Sequence, residues 1–208
     1  MIVLGLTGSI GMGKSTAAAM LRRLGVPLFD ADLAAHRMLG PGGEVNATVA
    51  AAFPGVRAES GAIDRQRLAA RVFGNDAALR RLERIIHPRV AKAERRFVGR
   101  ARARRCPLVV LDIPLLYEVR GAARCDYVLV VSAPAWVQRR RVLRRPGMTD
   151  SRLAAILRQQ IPDREKRRRA DFVVQTGLGK GLTLRRLRTI VRILRAEQQR
   201  EGRRCARS

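Results

Sequence analysis

The sequence predicts an α/β fold of three layers, with a five-stranded parallel sheet sandwiched between helices. Three observations carry this. Five short runs are continuously apolar, as strands buried on both faces must be. The stretches between them carry apolar residues at helical spacing, and alternating strands and helices call for parallel strands joined by crossover helices. Two stretches are too long and too basic to be crossovers, so the fold carries a helical insert and a lid in addition.

Ile2–Leu6 is the first apolar run, and glycines stop it. Lys14–Leu24 places Ala17, Met20, Leu21 and Leu24 on one helical face and ends at Gly25, a residue suited to the turn after a helix. Val26–Phe29 is the second strand, closing at Asp30-Ala31-Asp32 and completing a βαβ unit. From Leu33 to Arg105 the pattern is mostly helical, broken at Gly40–Gly43 and Phe53–Gly55. Asp64–Val72, Asp76–Ile86 and Pro88–Arg102 each suit an amphipathic helix, with His87-Pro88 ending one and starting the next. Leu108–Leu111 and Tyr127–Val131 are the third and fourth strands. The very basic Ala135–Arg145 helix stops at Pro146-Gly147, and Trp136 within it reads as a packing residue. Ser151–Gln160 is a further helix, Phe172–Val174 the fifth strand, and Leu182–Glu197 the closing helix. These elements assign a core to 1–59, 106–137 and 169–197. They assign a substrate-binding helical insert to 60–105, a lid to 138–168, and a fraying tail to 198–208.

The chain has 208 residues, 47% of them apolar, which excludes wholesale disorder and dependence on disulfides. Lys and Arg number 43 against 17 acidic residues, a formal charge of +26 that attracts polyanions. Only four of the 43 are Lys, so the Arg load reflects coding-sequence composition as readily as a binding role. Three cysteines without paired spacing fit a reducing compartment, and two histidines cannot build a His-rich metal site. The start lacks the basic region of a signal peptide, and no run approaches about 18 apolar residues. A cytoplasmic protein with no membrane partner is expected.

Gly8-Ser9-Ile10-Gly11-Met12-Gly13-Lys14-Ser15 fits G-x-x-x-x-G-K-[ST], between an apolar strand and an amphipathic helix. Such a turn aims consecutive N–H groups at phosphate oxygens, and the helix adds its positive end. Lys14 then reaches the β- and γ-phosphates, while the Ser15 hydroxyl is placed to ligate Mg²⁺. A bound nucleoside triphosphate follows. The length argues against a motor, and nothing resembles the N-K-x-D that reads guanine, which leaves a P-loop kinase-like fold. Asp30 and Asp32 close the second strand at the ligand-facing end of such a sheet. Asp32 would accept a hydroxyl proton or hold Mg²⁺ through water; the competing reading makes both residues helix caps.

Leu6–Thr16, Asp30-Ala31-Asp32, His87-Pro88 and Asp112-Ile113-Pro114-Leu115-Leu116-Tyr117-Glu118, in this order, resemble the dephospho-coenzyme A kinase family. The likeness extends through Gln138–Arg145, Gln160-Ile161-Pro162 and Ala170-Asp171, covering roughly residues 1–195. It implies transfer of the ATP γ-phosphoryl to the ribose 3′-hydroxyl of dephospho-coenzyme A with Mg²⁺. Gly8, Gly11, Met12, Gly13, Lys14, Ser15 and Thr16 would wrap the ATP phosphates, and Ser15 and Asp112 would serve the metal. Lys14, Asp32, Arg141 and Arg145 would be catalytic, with Asp32 the base on the 3′-hydroxyl. Asp32, His87, Asp112 and Glu118 would meet the acceptor, although His87 reads equally as a helix junction and Glu118 as a cap. Gln175-Thr176-Gly177 departs from the family in lacking an Asn. A monomer or weak homo-oligomer without a specific nucleic-acid partner is expected. A P-loop kinase of another nucleotide-like acceptor and a basic nucleic-acid-binding ATPase are the competing functions.

Overall fold

A computed structural model describes residues 1–205. It divides into two compact units, one of Met1–Phe29 with Ala101–Ser208 and one of Asp30–Arg100.

The first unit holds the sheet. Its strands are β1 (Ile2–Thr7), β2 (Leu28–Asp30), β3 (Leu108–Asp112), β4 (Tyr127–Ser132) and β5 (Phe172–Gln175), in the order β2-β3-β1-β4-β5. β1 runs parallel to β3 and β4, and β4 to β5, with Leu6 opposite Asp112. The five apolar runs are therefore the five strands, each extended by one polar residue at its carboxyl end, and the second begins at Leu28 rather than Val26. Ile2, Leu4, Leu6, Leu129 and Val131 point to one face. There they pack on Ala17, Ala18 and Leu21 of α1 (Lys14–Arg23) and on Leu187, Val191 and Leu194 of the closing helix. The alternate residues Val3, Val128 and Val130 are as fully buried on the other face. Between β4 and β5 lie three short helices: Ala135–Leu143, Asp150–Arg158 and Asp163–Arg168. The closing helix runs from Lys180 to Cys205, so residues 198–205 continue it where a frayed tail is read from composition; 206–208 lie outside the described residues.

The second unit is helical: α2 (Ala31–Leu39), α3 (Asn46–Ala52), α4 (Arg65–Val72) and the greater part of α5 (Asp76–Ala103). Leu39, Val45, Val49, Phe53, Val56, Ile63 and Leu68 form its core, with Leu82, Ile85 and Ile86 packed on them. Asn46 ties the connections together, its amide donating to the carbonyls of Leu39, Gly40 and Gly61 at 3.0 Å each. The unit begins at Asp30, not near residue 60, because α2 and α3 bury their apolar faces in this core.

Two sequence expectations are corrected. α5 is one continuous helix with Pro88 inside it, where a break at His87-Pro88 is read from the proline. Proline deletes a single backbone hydrogen bond, and the partly buried stripe Leu82, Ile85, Ile86, Val90, Ala93, Phe97 runs through the site in unbroken helical spacing. His87 is an exposed residue of that helix, not a junction. Trp136 is 64% exposed, its ring covered on one face by the Arg140 guanidinium at 5.3 Å, so it does not pack in the core.

With α1–α5 placed, the three helices between β4 and β5 are numbered α6 (Ala135–Leu143), α7 (Asp150–Arg158) and α8 (Asp163–Arg168), and the closing helix α9 (Lys180–Cys205).

Candidate active site

The turn between β1 and α1 is built around glycine. Gly11 and Gly13 have φ of +77° and +87°, and a Cβ at Gly13 would lie 2.9 Å from the Thr176 hydroxyl. At Gly8 the constraint is close approach, since a Cβ would meet the Val131 carbonyl at 2.7 Å. Within the turn the Met12 N–H donates to the Ser9 carbonyl at 3.1 Å and the Ile10 N–H to Gln160 at 3.1 Å. The N–H groups of Gly11, Gly13, Lys14, Ser15 and Thr16 have no acceptor among the described residues. No side chain caps α1, and no acid occupies its first turn. A helix start normally recruits one or the other. Here its positive end and its free donors are left for an external anion.

Lys14 reaches back across the sheet end, its Nζ 2.7 Å from Asp112 Oδ1. The β1–β3 register sets this up by placing Asp112 beside Leu6. Asp112 is almost wholly buried and Lys14 only 17% exposed, so the ammonium is held extended rather than left to wander in solvent. Arg141 on α6 also belongs to the turn. Its guanidinium donates to the Thr176 hydroxyl at 2.9 Å, to the Thr176 carbonyl at 2.8 Å and to the Gly11 carbonyl at 3.4 Å. The Thr176 hydroxyl in turn donates to the Met12 carbonyl at 2.7 Å.

The structure thus gathers Gly8, Gly11, Met12, Gly13, Lys14, Ser15, Thr16, Asp112 and Arg141. Arg145 lies beyond α6 and is exposed, and Arg139 makes an exposed pair with Asp150 at 2.7 Å. Glu118 is engaged elsewhere: its carboxylate accepts the Ile161 N–H at 2.9 Å and lies 2.8 Å from Nζ of the fully buried Lys166. Burial raises the Glu118 carboxyl, but the hydrogen bonds from Lys166 and the Ile161 N–H outweigh it and hold it below the usual carboxylate range. Asp32 and His87 belong to the second unit. There Asp30 is the cap of α2, accepting the Leu33 N–H at 2.9 Å, whereas Asp32 is exposed in the first turn. Of the two residues read as possible caps, only Asp30 is one.

Sequence reading assigned no role to Thr176, Lys166, Gln138 or Gln160. The one available signal for Thr176 was its place at the carboxyl end of the last strand, where ligands gather in such sheets. Lys166 was hidden in a basic run, and nothing distinguished it from its solvated neighbours.

A free-donor turn at the carboxyl end of a parallel β2-β3-β1-β4-β5 sheet, with its lysine poised, defines a P-loop phosphotransferase. Residues 2–179 match the dephospho-CoA kinase family model. The chain is 62% identical over 167 residues to a dephospho-CoA kinase of Paramagnetospirillum magneticum, covering 80% of this chain and 78% of that one. It is 52% identical over 198 residues to one of Novosphingobium aromaticivorans, covering 95% and 97%. The crystal structure of TT1252 from Thermus thermophilus superposes with a TM-score of 0.80 at 36% identity, over 91% of this chain and 95% of that one. The chain belongs to the dephospho-CoA kinase family.

Proposed function

We propose that the chain transfers the γ-phosphoryl group of ATP to the ribose 3′-hydroxyl of dephospho-coenzyme A, giving coenzyme A and ADP. The observation that carries this is the uncapped start of α1, with its free N–H groups and the Lys14–Asp112 pair, in a member of this family. The N–H groups of Gly11, Gly13, Lys14, Ser15 and Thr16 bind the phosphates. Lys14 moves from Asp112 onto the transferring group, where a fixed cation counts more than in water. Arg141 holds the turn to the loop after β5. Arg145, just beyond α6, is an exposed cation with no ion pair among the described residues. Asp32, not consumed as a cap, takes the proton of the attacking hydroxyl. The helical second unit receives the acceptor, with His87 exposed on its surface. The basic segment 138–168 acts as a lid that excludes water from the γ-phosphate.

The residues fit Mg²⁺. The Ser15 hydroxyl is exposed and makes no hydrogen bond among the described residues. No group of three His, Cys, Asp or Glu side chains there could cage a metal. That suits an ion that keeps waters and shares phosphate oxygens. Ser15 would hold it directly and Asp112 through water, and when bound it would neutralise phosphate charge. No described helix is long and apolar enough to cross a membrane.

The test is ADP release by the purified chain with ATP and Mg²⁺, comparing dephospho-coenzyme A with nucleoside monophosphates. Turnover on dephospho-coenzyme A alone is expected, and turnover only on a monophosphate would reassign the acceptor. Replacing Asp32 by Asn should lower the rate about 10²–10⁴-fold; a near-normal rate would move the proton elsewhere.

A further inference from the structure

Ile10 lies within the phosphate-binding turn, and both polar groups of its backbone are held by glutamine side chains from outside it. Gln138 Nε2 donates to the Ile10 carbonyl at 2.7 Å, and Gln160 Oε1 accepts the Ile10 N–H at 3.1 Å. The two arms come from different elements, Gln138 from α6 and Gln160 from the connection between α7 and α8. Neither belongs to the G-x-x-x-x-G-K-[ST] pattern.

A turn with glycines at 8, 11 and 13 has many backbone conformations of similar energy, and binding an anion must select one. Selection made in advance by the protein lowers the entropic cost of binding. The bonds to Ile10 make that selection. They occupy both polar groups of Ile10 and leave the N–H groups of Gly11, Gly13, Lys14, Ser15 and Thr16 as the donors without an acceptor among the described residues.

Gln160 can serve as a fixed arm because the chain around it is tied into the first unit. The Ile161 N–H donates to Glu118, Glu118 pairs with the buried Lys166, and the Ser132 hydroxyl donates to Asp163 at 2.7 Å. Between the two arms, residues 139–159 carry the exposed pair Arg139–Asp150 and also Arg141, which holds Thr176 and the Gly11 carbonyl. Gln138 opens the 138–168 segment assigned as the lid, and Gln160 lies inside it on a stretch tied to the rest of the first unit through Glu118 and Asp163, so both arms reach the turn from anchored positions.

We infer that Gln160 is a positioning residue for the nucleotide: acting through the Ile10 peptide, with Gln138 as its counterpart, it presets the turn for the triphosphate and makes no contact with the acceptor. The inference rests on the proposed function only in taking ATP as the ligand.

The experiment is calorimetric titration of the full chain with ATP and Mg²⁺, without acceptor, for the parent and for Gln160→Met, which keeps the volume but lacks the accepting oxygen. ATP should bind about 3- to 10-fold more weakly, the loss of one preset hydrogen bond. The Ile10 amide should exchange faster with solvent, and the KM for dephospho-coenzyme A should stay within about twofold. A purely structural tether would lower the melting temperature and leave ATP affinity unchanged, which would overturn the inference, as would equal weakening of both substrates. Should Gln160→Met fail to fold, Gln138→Met frees the other end of the same peptide and carries the same expectation, and unchanged ATP affinity there refutes it. Absence of turnover on dephospho-coenzyme A in the parent would overturn the acceptor assignment alone and leave the ATP titration valid.

Discussion

Replacing Glu118 by Gln isolates the charge that holds Lys166. The amide keeps an oxygen for the Ile161 N–H, so only the anion is lost. Lys166 is 0% exposed, and its Nζ has the Glu118 carboxylate at 2.8 Å as its ion-pair partner while no acceptor among the described residues meets it with full hydrogen-bond geometry. Breaking a buried pair from one side typically costs about 3–5 kcal/mol. A ceiling follows from the option of losing the proton. From a free lysine pKa of about 10.4 to pH 7 is about 3.4 units, or about 4.6 kcal/mol. A loss of about 3–4 kcal/mol is expected, and at roughly 2–4 °C per kcal/mol for a chain of this size the melting temperature should fall by roughly 6–16 °C. Lys166→Met should cost less, about 1–2 kcal/mol, because Glu118 is 15% exposed and can reach water. The double variant Glu118→Gln/Lys166→Met should recover most of the loss. Urea and thermal denaturation at pH 7 measure all three. A Glu118→Gln chain within about 1 kcal/mol of the parent, or a double variant no better than it, would refute the reasoning.

Lys14→Ala should leave the fold intact and lower the phosphoryl-transfer rate by about 10³-fold, read by single-turnover kinetics. Gly13→Ala forces a Cβ into left-handed backbone against Thr176. It should cost about 1–2 kcal/mol in urea denaturation and weaken ATP binding in titration. The Tyr117 hydroxyl is pushed up to about 12, first by burial and then by the Asp171 carboxylate. The folded state therefore keeps its proton while the unfolded chain gives it up, so stability should decline from pH 10 towards pH 12. The decline should be smaller in Tyr117→Phe, as thermal melts across that range would show.

The sheet was legible because its strands are continuous apolar runs, and the nucleotide turn because its chemistry is local to eight residues. Asp112 was named as a functional position through the family resemblance, but its pairing with Lys14 depends on the β1–β3 register, which no run of sequence displays. Pro88 misled because a proline is read as a break, while the stripe from Leu82 to Phe97 spans it and carries more energy than one missing hydrogen bond. The roles of Asp30 and Asp32 separated only when the start of α2 was fixed to a single residue. Glu118, Lys166 and Gln160 were opaque for a common reason: each acts through a partner more than 40 residues away.

The most direct measurement is phosphorus NMR of the products formed from ATP and dephospho-coenzyme A. A new phosphomonoester on the ribose 3′ oxygen is expected, appearing in step with ADP and lost in Lys14→Ala. Inorganic phosphate in place of the ester, or an ester at another oxygen, would contradict it.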